Sequence, residues 1–144
     1  ITNVMGLDCG QPRMAPDREE ARYSGSWYDV THQGEGFTVQ VLADGKALVY
    51  WFSFGPDGSR RWFFGTGEIV DGKLVFGNML TTSGGVFGND FDPTTVDELP
   101  WGTLELDVSC GGGTATYSST EVGFGAGALN VTKLTNLDGL DCDA

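Results

Sequence analysis

Glu35 stands between Gly34 and Gly36 at the entry to a strand-like run, with the chain's sole histidine, His32, three residues before it. Flanking glycines permit a bulge or a close backbone approach. The carboxylate is therefore read first as an acceptor of backbone hydrogen bonds and second as a ligand contact. Glycoside hydrolysis would need another carboxylate at a defined separation across a cleft, and no partner is marked. A histidine-assisted nucleophile would have to use His32, which lies in the polar link Asp29–Gln33 without a G-x-S-x-G elbow. No catalytic constellation emerges, and the chain is not expected to be an enzyme.

Metal and thiol chemistry are the next candidates. Asp90, Asp92 and Asp97 offer hard oxygens of the kind calcium takes, close together in sequence. Thr95 stands where an EF-hand loop needs glycine, so these are calcium candidates without a recognised pattern. Asp138, Asp141 and Asp143 form a second acidic group, equally unpatterned. No other cofactor is implied. The three cysteines, Cys9, Cys110 and Cys142, lack the spacing of a zinc site. A bridge from Cys110 to Cys142 would close a loop of about 30 residues, stabilise by about 3–4 kcal/mol, and leave Cys9 as a free or intermolecular thiol. Cys9–Cys142 pairing and three reduced buried thiols are the competing readings.

The aromatics decide whether a binding surface exists. Trp27, Trp51, Trp62 and Trp101 could line a sugar platform, but each sits in a strand-like run, where core packing is the default. Tyr28 and Trp62 are the rings expected to reach solvent and touch a ligand. Asn130-Val131-Thr132 matches a glycosylation sequon.

These groups must be positioned by a chain of 144 residues with 40% hydrophobic content and a net charge of −12. That length suits one domain with a real core. Such an acidic balance argues against nucleic acid as a partner, because phosphate binding needs clustered Lys and Arg. No apolar run approaches the roughly 20 residues of a membrane helix. Ile1, with no basic-then-apolar leader after it, reads as the start of a processed product, so secretion to the extracellular space or cell surface is expected.

Residues 1–24 read as an irregular arm with Pro12, Pro16 and the charged run Asp17–Glu20; residues 25–144 read as one β domain. Phe37, Val39 and Val41 alternate with polar residues at the strand period of two. Ala47 to Phe54 is apolar on both faces and reads as a strand covered on both sides. Strand-like runs follow at 61–69 and 73–80. Asp44-Gly45, Asp57-Gly58 and Asp71-Gly72 separate these runs, each pair suited to a tight hairpin. The loop expected over 83–100 gives way to alternation from Trp101, with Leu104, Leu106 and Val108 inward. Runs at 113–118 and 126–134 complete seven or eight strands. The fold expected is an antiparallel meander closing into a barrel, with a β-sandwich as the alternative.

At Gly25-Ser26-Trp27-Tyr28, then Gly34-Glu35-Gly36-Phe37, the chain resembles a family of bacterial secreted β-domains that open with a G-x-W-Y…G-E-G-F signature. The resemblance continues at Leu48–Phe52, at Phe91-Asp92-Pro93 with Pro100-Trp101-Gly102, and at Leu134-Thr135, Gly139-Leu140 and Cys142. It covers about residues 25–142 and leaves out the arm with Cys9. It implies a bridge between Cys110 and Cys142, a β fold and export, and it brings no activity with it.

Two functions compete on this reading. One is a structural subunit of the cell surface that docks through its arm on copies of itself or on another surface protein. The other is a monomeric module that binds a glycan or small ligand through exposed aromatics. Which rings face solvent discriminates between them.

Overall fold

The computed structural model describes residues 22–140 and 142. Eight antiparallel strands run β1 Gly25–Tyr28, β2 Gly36–Val41, β3 Ala47–Phe54, β4 Arg60–Val70, β5 Lys73–Ser83, β6 Asp97–Val108, β7 Gly112–Ser119 and β8 Ala126–Lys133. Each pairs with its neighbour in sequence, and β8 returns to β1 through Trp27 opposite Lys133, so the sheet is a closed barrel. The meander and its closure are as the turn rhythm implied. Among the described residues no helix is long and apolar enough to cross a membrane.

The turns account for the tight connections. Asp71 and Gly72 both have positive φ, 51° and 78°, the backbone of a two-residue hairpin between β4 and β5. The Asp44 and Asp57 carboxylates instead accept the amides of Lys46 and Ser59 and hold slightly longer turns.

Alternation then sends one face of every strand inward. Trp27, Phe37, Val39, Val49, Trp51, Phe63, Leu74, Phe76, Trp101, Leu104, Leu106 and Val131 are all buried there. An eight-stranded barrel has an interior just wide enough for side chains to fill. Inward-facing Gly65 and Gly67 on β4 make room for the large residues of β5. A Cβ at Gly67 would come within 2.6 Å of the Phe76 ring, and one at Gly65 within 2.9 Å of the Met79 sulfur.

Three expectations are corrected. β3 is covered on one side only: Ala47, Val49 and Trp51 are buried, whereas Phe52 and Phe54 on the opposite face are exposed. β6 starts at Asp97, not at Trp101. Its first residues pair with β5 and take Pro100 at a register shift, where a missing amide is tolerated. The intervening loop therefore spans only residues 84–96 and carries two short 3₁₀ turns, Gly88–Asp90 and Pro93–Thr95. Finally, Tyr23 and Ser24, assigned to the arm on sequence, belong to the barrel. Tyr23 is fully buried, its hydroxyl donates to the Gly72 carbonyl at 2.6 Å, and its own carbonyl accepts the Trp27 indole N–H at 2.9 Å. This ring plugs the end of the barrel that carries the β2–β3, β4–β5 and β6–β7 hairpins.

Cys110 and Cys142 are bonded, with their Cα atoms 5.6 Å apart, and tie the C-terminal tail to the β6–β7 hairpin. Cys9 and the rest of residues 1–21 lie outside the described residues. The bridge closes a loop of 32 residues, so replacing both cysteines with serine should cost about 3–4 kcal/mol, read as a shift in denaturant midpoint against the oxidised wild type. Tyr23→Ala should cost about 3–5 kcal/mol by emptying the plugged end, and Tyr23→Phe only about 1 kcal/mol for the lost hydrogen bond.

Candidate functional site

The opposite end of the barrel is made by the β1–β2, β3–β4, β5–β6 and β7–β8 loops, and among the described residues it is open. Three of the groups singled out on sequence lie near it. Glu35 enters from the β1–β2 loop just ahead of β2. Its Oε2 accepts the hydroxyl of Ser53, the last inward side chain of β3, and its Oε1 lies 3.2 Å from His32 Nδ1. The carboxylate is thus held by two side chains, not by the backbone donors expected from its glycine neighbours. Ser53, Glu35 and His32 form a chain with the acid in the middle. A nucleophilic triad requires the imidazole in that place, between hydroxyl and carboxylate, so this wiring does not activate Ser53 through His32.

Behind Glu35 the mouth is a cavity of about 230 Å³ walled by Trp51, Phe63, Trp101, Tyr117 and Phe124. The rings lock one another. Phe63 and Trp101 stack at 4.2 Å, Trp51 meets Trp101 edge-on at 5.3 Å, and Phe124 meets both Phe63 and Trp101 edge-on at 5.6 and 5.5 Å. Trp51 and Trp101 are 4% and 1% exposed, and their indole nitrogens have no hydrogen-bond acceptor among the described residues. Buried polar groups are ordinarily satisfied, so two such donors beside one cavity mark an unusual place in the core.

Phe124 hangs from the β7–β8 loop, and Arg61 fastens that loop. Its guanidinium makes a two-pronged pair with Glu121, at 2.8 and 2.7 Å, and lies over the rings of Phe124 and Phe63. The Arg61 hydrogen bonds hold the Glu121 carboxyl below its ordinary value of 4.5 and raise Arg61 in turn.

A second site lies on the outer wall. Tyr50 and Phe52 on β3 face Phe64 and Trp62 on β4 in register, and all four rings point away from the core. They lie nearly parallel, with interplanar angles of 16–30° and centroids 4.9–6.5 Å apart. Phe52 is 52% exposed and Trp62 38%. Beside them runs a groove of about 670 Å³, lined also by Phe54, Arg60 and Gly34. On the other side of Phe52 a smaller hollow reaches past the bare backbone of Gly36 to Tyr28, which is half-buried. Trp62 and Tyr28 therefore belong to one outer face, with Phe52 between them.

Sequence reasoning assigned Tyr50, Phe52 and Phe64 no binding role because β3 was read as covered on both sides. The signal was present in β4, where Trp62 and Phe64 flank inward Phe63. A closed barrel has only one inside, so the second aromatic parity must face out. The acidic candidates do not assemble. Asp90 lies in the first 3₁₀ turn, Asp92 caps the second by accepting the amide and hydroxyl of Thr94, and Asp97 sits on β6 opposite Ser83. Among the described residues no group of three or more His, Cys, Asp or Glu side chains is placed to hold a metal ion. Asp141 and Asp143 lie outside them.

Because Glu121 titrates lower in the folded chain than its ordinary value, its pair with Arg61 contributes stability above the unfolded carboxyl's pKa. That contribution is lost as pH falls through the folded value. Thermal melts of wild type and Glu121→Gln should differ near pH 7, by up to about 1 kcal/mol for a partly exposed pair. The two curves should converge in strong acid.

A scan against protein-family models, a search of curated proteins and a search of solved structures each find no match to this chain.

Proposed function

We propose that this chain is a non-catalytic extracellular binding module that holds a glycan against the outer wall of its barrel. The observation that carries the reading is the parallel set of Tyr50, Phe52, Trp62 and Phe64, where a one-sided sheet ordinarily shows polar side chains to water. The exposed apolar surface of Phe52 and Trp62 suits the axial C–H face of a pyranose, and Arg60 at the groove's edge offers donors to its hydroxyls. The Cys110–Cys142 bridge supports an oxidising compartment, as secretion would provide. The arm-mediated assembly considered on sequence depends on residues outside those described, so the binding module has the more direct support.

The test is retention on insoluble polysaccharides and a glycan array, with light scattering in parallel. Wild type should bind at least one polysaccharide as a monomer. Trp62→Ala and Phe52→Ala should each weaken binding by about tenfold, in keeping with the loss of one stacked ring. A chain that binds no glycan, yet forms a concentration-dependent dimer abolished by Trp62→Ala, would show that the platform is a protein interface.

A further inference from the structure

We propose that the open mouth of the barrel is a second binding site, adjoining the outer wall, for a small organic ammonium cation with Glu35 as its counter-ion. The cavity of about 230 Å³ equals roughly eight water molecules at liquid density, enough for a substituted ammonium group and too small for a glycan chain. Its walls are the rings of Trp51, Phe63, Trp101, Tyr117 and Phe124, and aromatic faces carry the negative side of the ring quadrupole. Among the described residues Glu35 is the one carboxylate in that lining, which holds His32 but no Lys or Arg. Its side chain is 17% exposed and is aligned by Ser53 and His32, so it is oriented before any ligand arrives.

The same ring cluster already accepts a cation from within the chain. Arg61 lies 5.6 Å from the Phe63 centroid and 5.1 Å from that of Phe124. Its own charge is answered by the two-pronged pair with Glu121, so it does not neutralise Glu35. An incoming cation therefore meets a carboxylate whose described partners are the His32 imidazole and the Ser53 hydroxyl, beside aromatic walls that offer cation–π attraction. The net charge of −12 adds a diffuse pull toward cations. Nitrogen carrying several alkyl groups suits the site better than a metal ion, because among the described residues no group of three or more His, Cys, Asp or Glu side chains stands there to replace a hydration shell.

Tetramethylammonium chloride is the probe, with neopentyl alcohol as a neutral match in shape and sodium chloride as the ionic-strength control. Saturation-transfer NMR on the folded wild-type chain should show transfer from aromatic protons to the ammonium methyls and a saturable titration. The neutral alcohol should bind about tenfold more weakly or not at all. Glu35→Gln, checked for folding by circular dichroism, should weaken tetramethylammonium by a similar factor. Glu105→Gln, which removes an acid paired with Lys73 near the plugged end, should bind it like wild type. No saturable transfer in wild type, equal binding of the alcohol, or loss of binding in Glu105→Gln would each overturn the proposal. The wild-type comparison of cation with alcohol decides the matter even where Glu35→Gln fails to fold.

Discussion

Closure of β8 onto β1 is the constraint on which the rest of the molecule depends. Once the sheet is a ring it has a single interior, and each strand must commit alternate side chains to filling it. Edge strands disappear and with them the usual route to uncontrolled pairing. The interior tolerates little slack, so small and large residues are matched across strands, as Gly65 and Gly67 are with Met79 and Phe76.

The two ends solve the remaining problem differently. One end is shut by Tyr23, anchored through its hydroxyl to the β4–β5 turn and through its carbonyl to Trp27, with the disulfide tying the tail down nearby. Among the described residues the other end has no such plug. It is narrowed by Phe124, which is held in place by an ion pair, and it retains a recess edged by Glu35. The asymmetry of the two ends comes from the segment ahead of β1, which sets Tyr23 into one of them.

The outer aromatic wall follows from the same closure. β3 and β4 carry more rings than one face can bury, so Trp51 and Phe63 enter the core while Tyr50, Phe52, Trp62 and Phe64 are left outside. Those outer rings shield one another by stacking, which limits the apolar area shown to water without removing it.

Much of the scaffold was legible in the residues themselves. Period-two alternation and the three Asp-Gly pairs sufficed for the meander, because strand pleat and positive-φ turns are local properties of the chain. The inward roles of Leu104, Leu106, Val108, Leu129 and Val131 were readable in the same way. Trp62 and Tyr28 were rightly placed at the surface, while Tyr50, Phe52 and Phe64 were not, since a strand apolar on both faces does not reveal which face is wet. The inclusion of Tyr23 in the core, the partnership of Glu35 with Ser53 across 18 residues and of Arg61 with Glu121 across 60, and the gathering of five rings at one mouth came only with the tertiary structure. Local stereochemistry is written residue by residue, whereas these contacts depend on barrel register and on how the ring of strands closes, quantities that no short window of sequence contains.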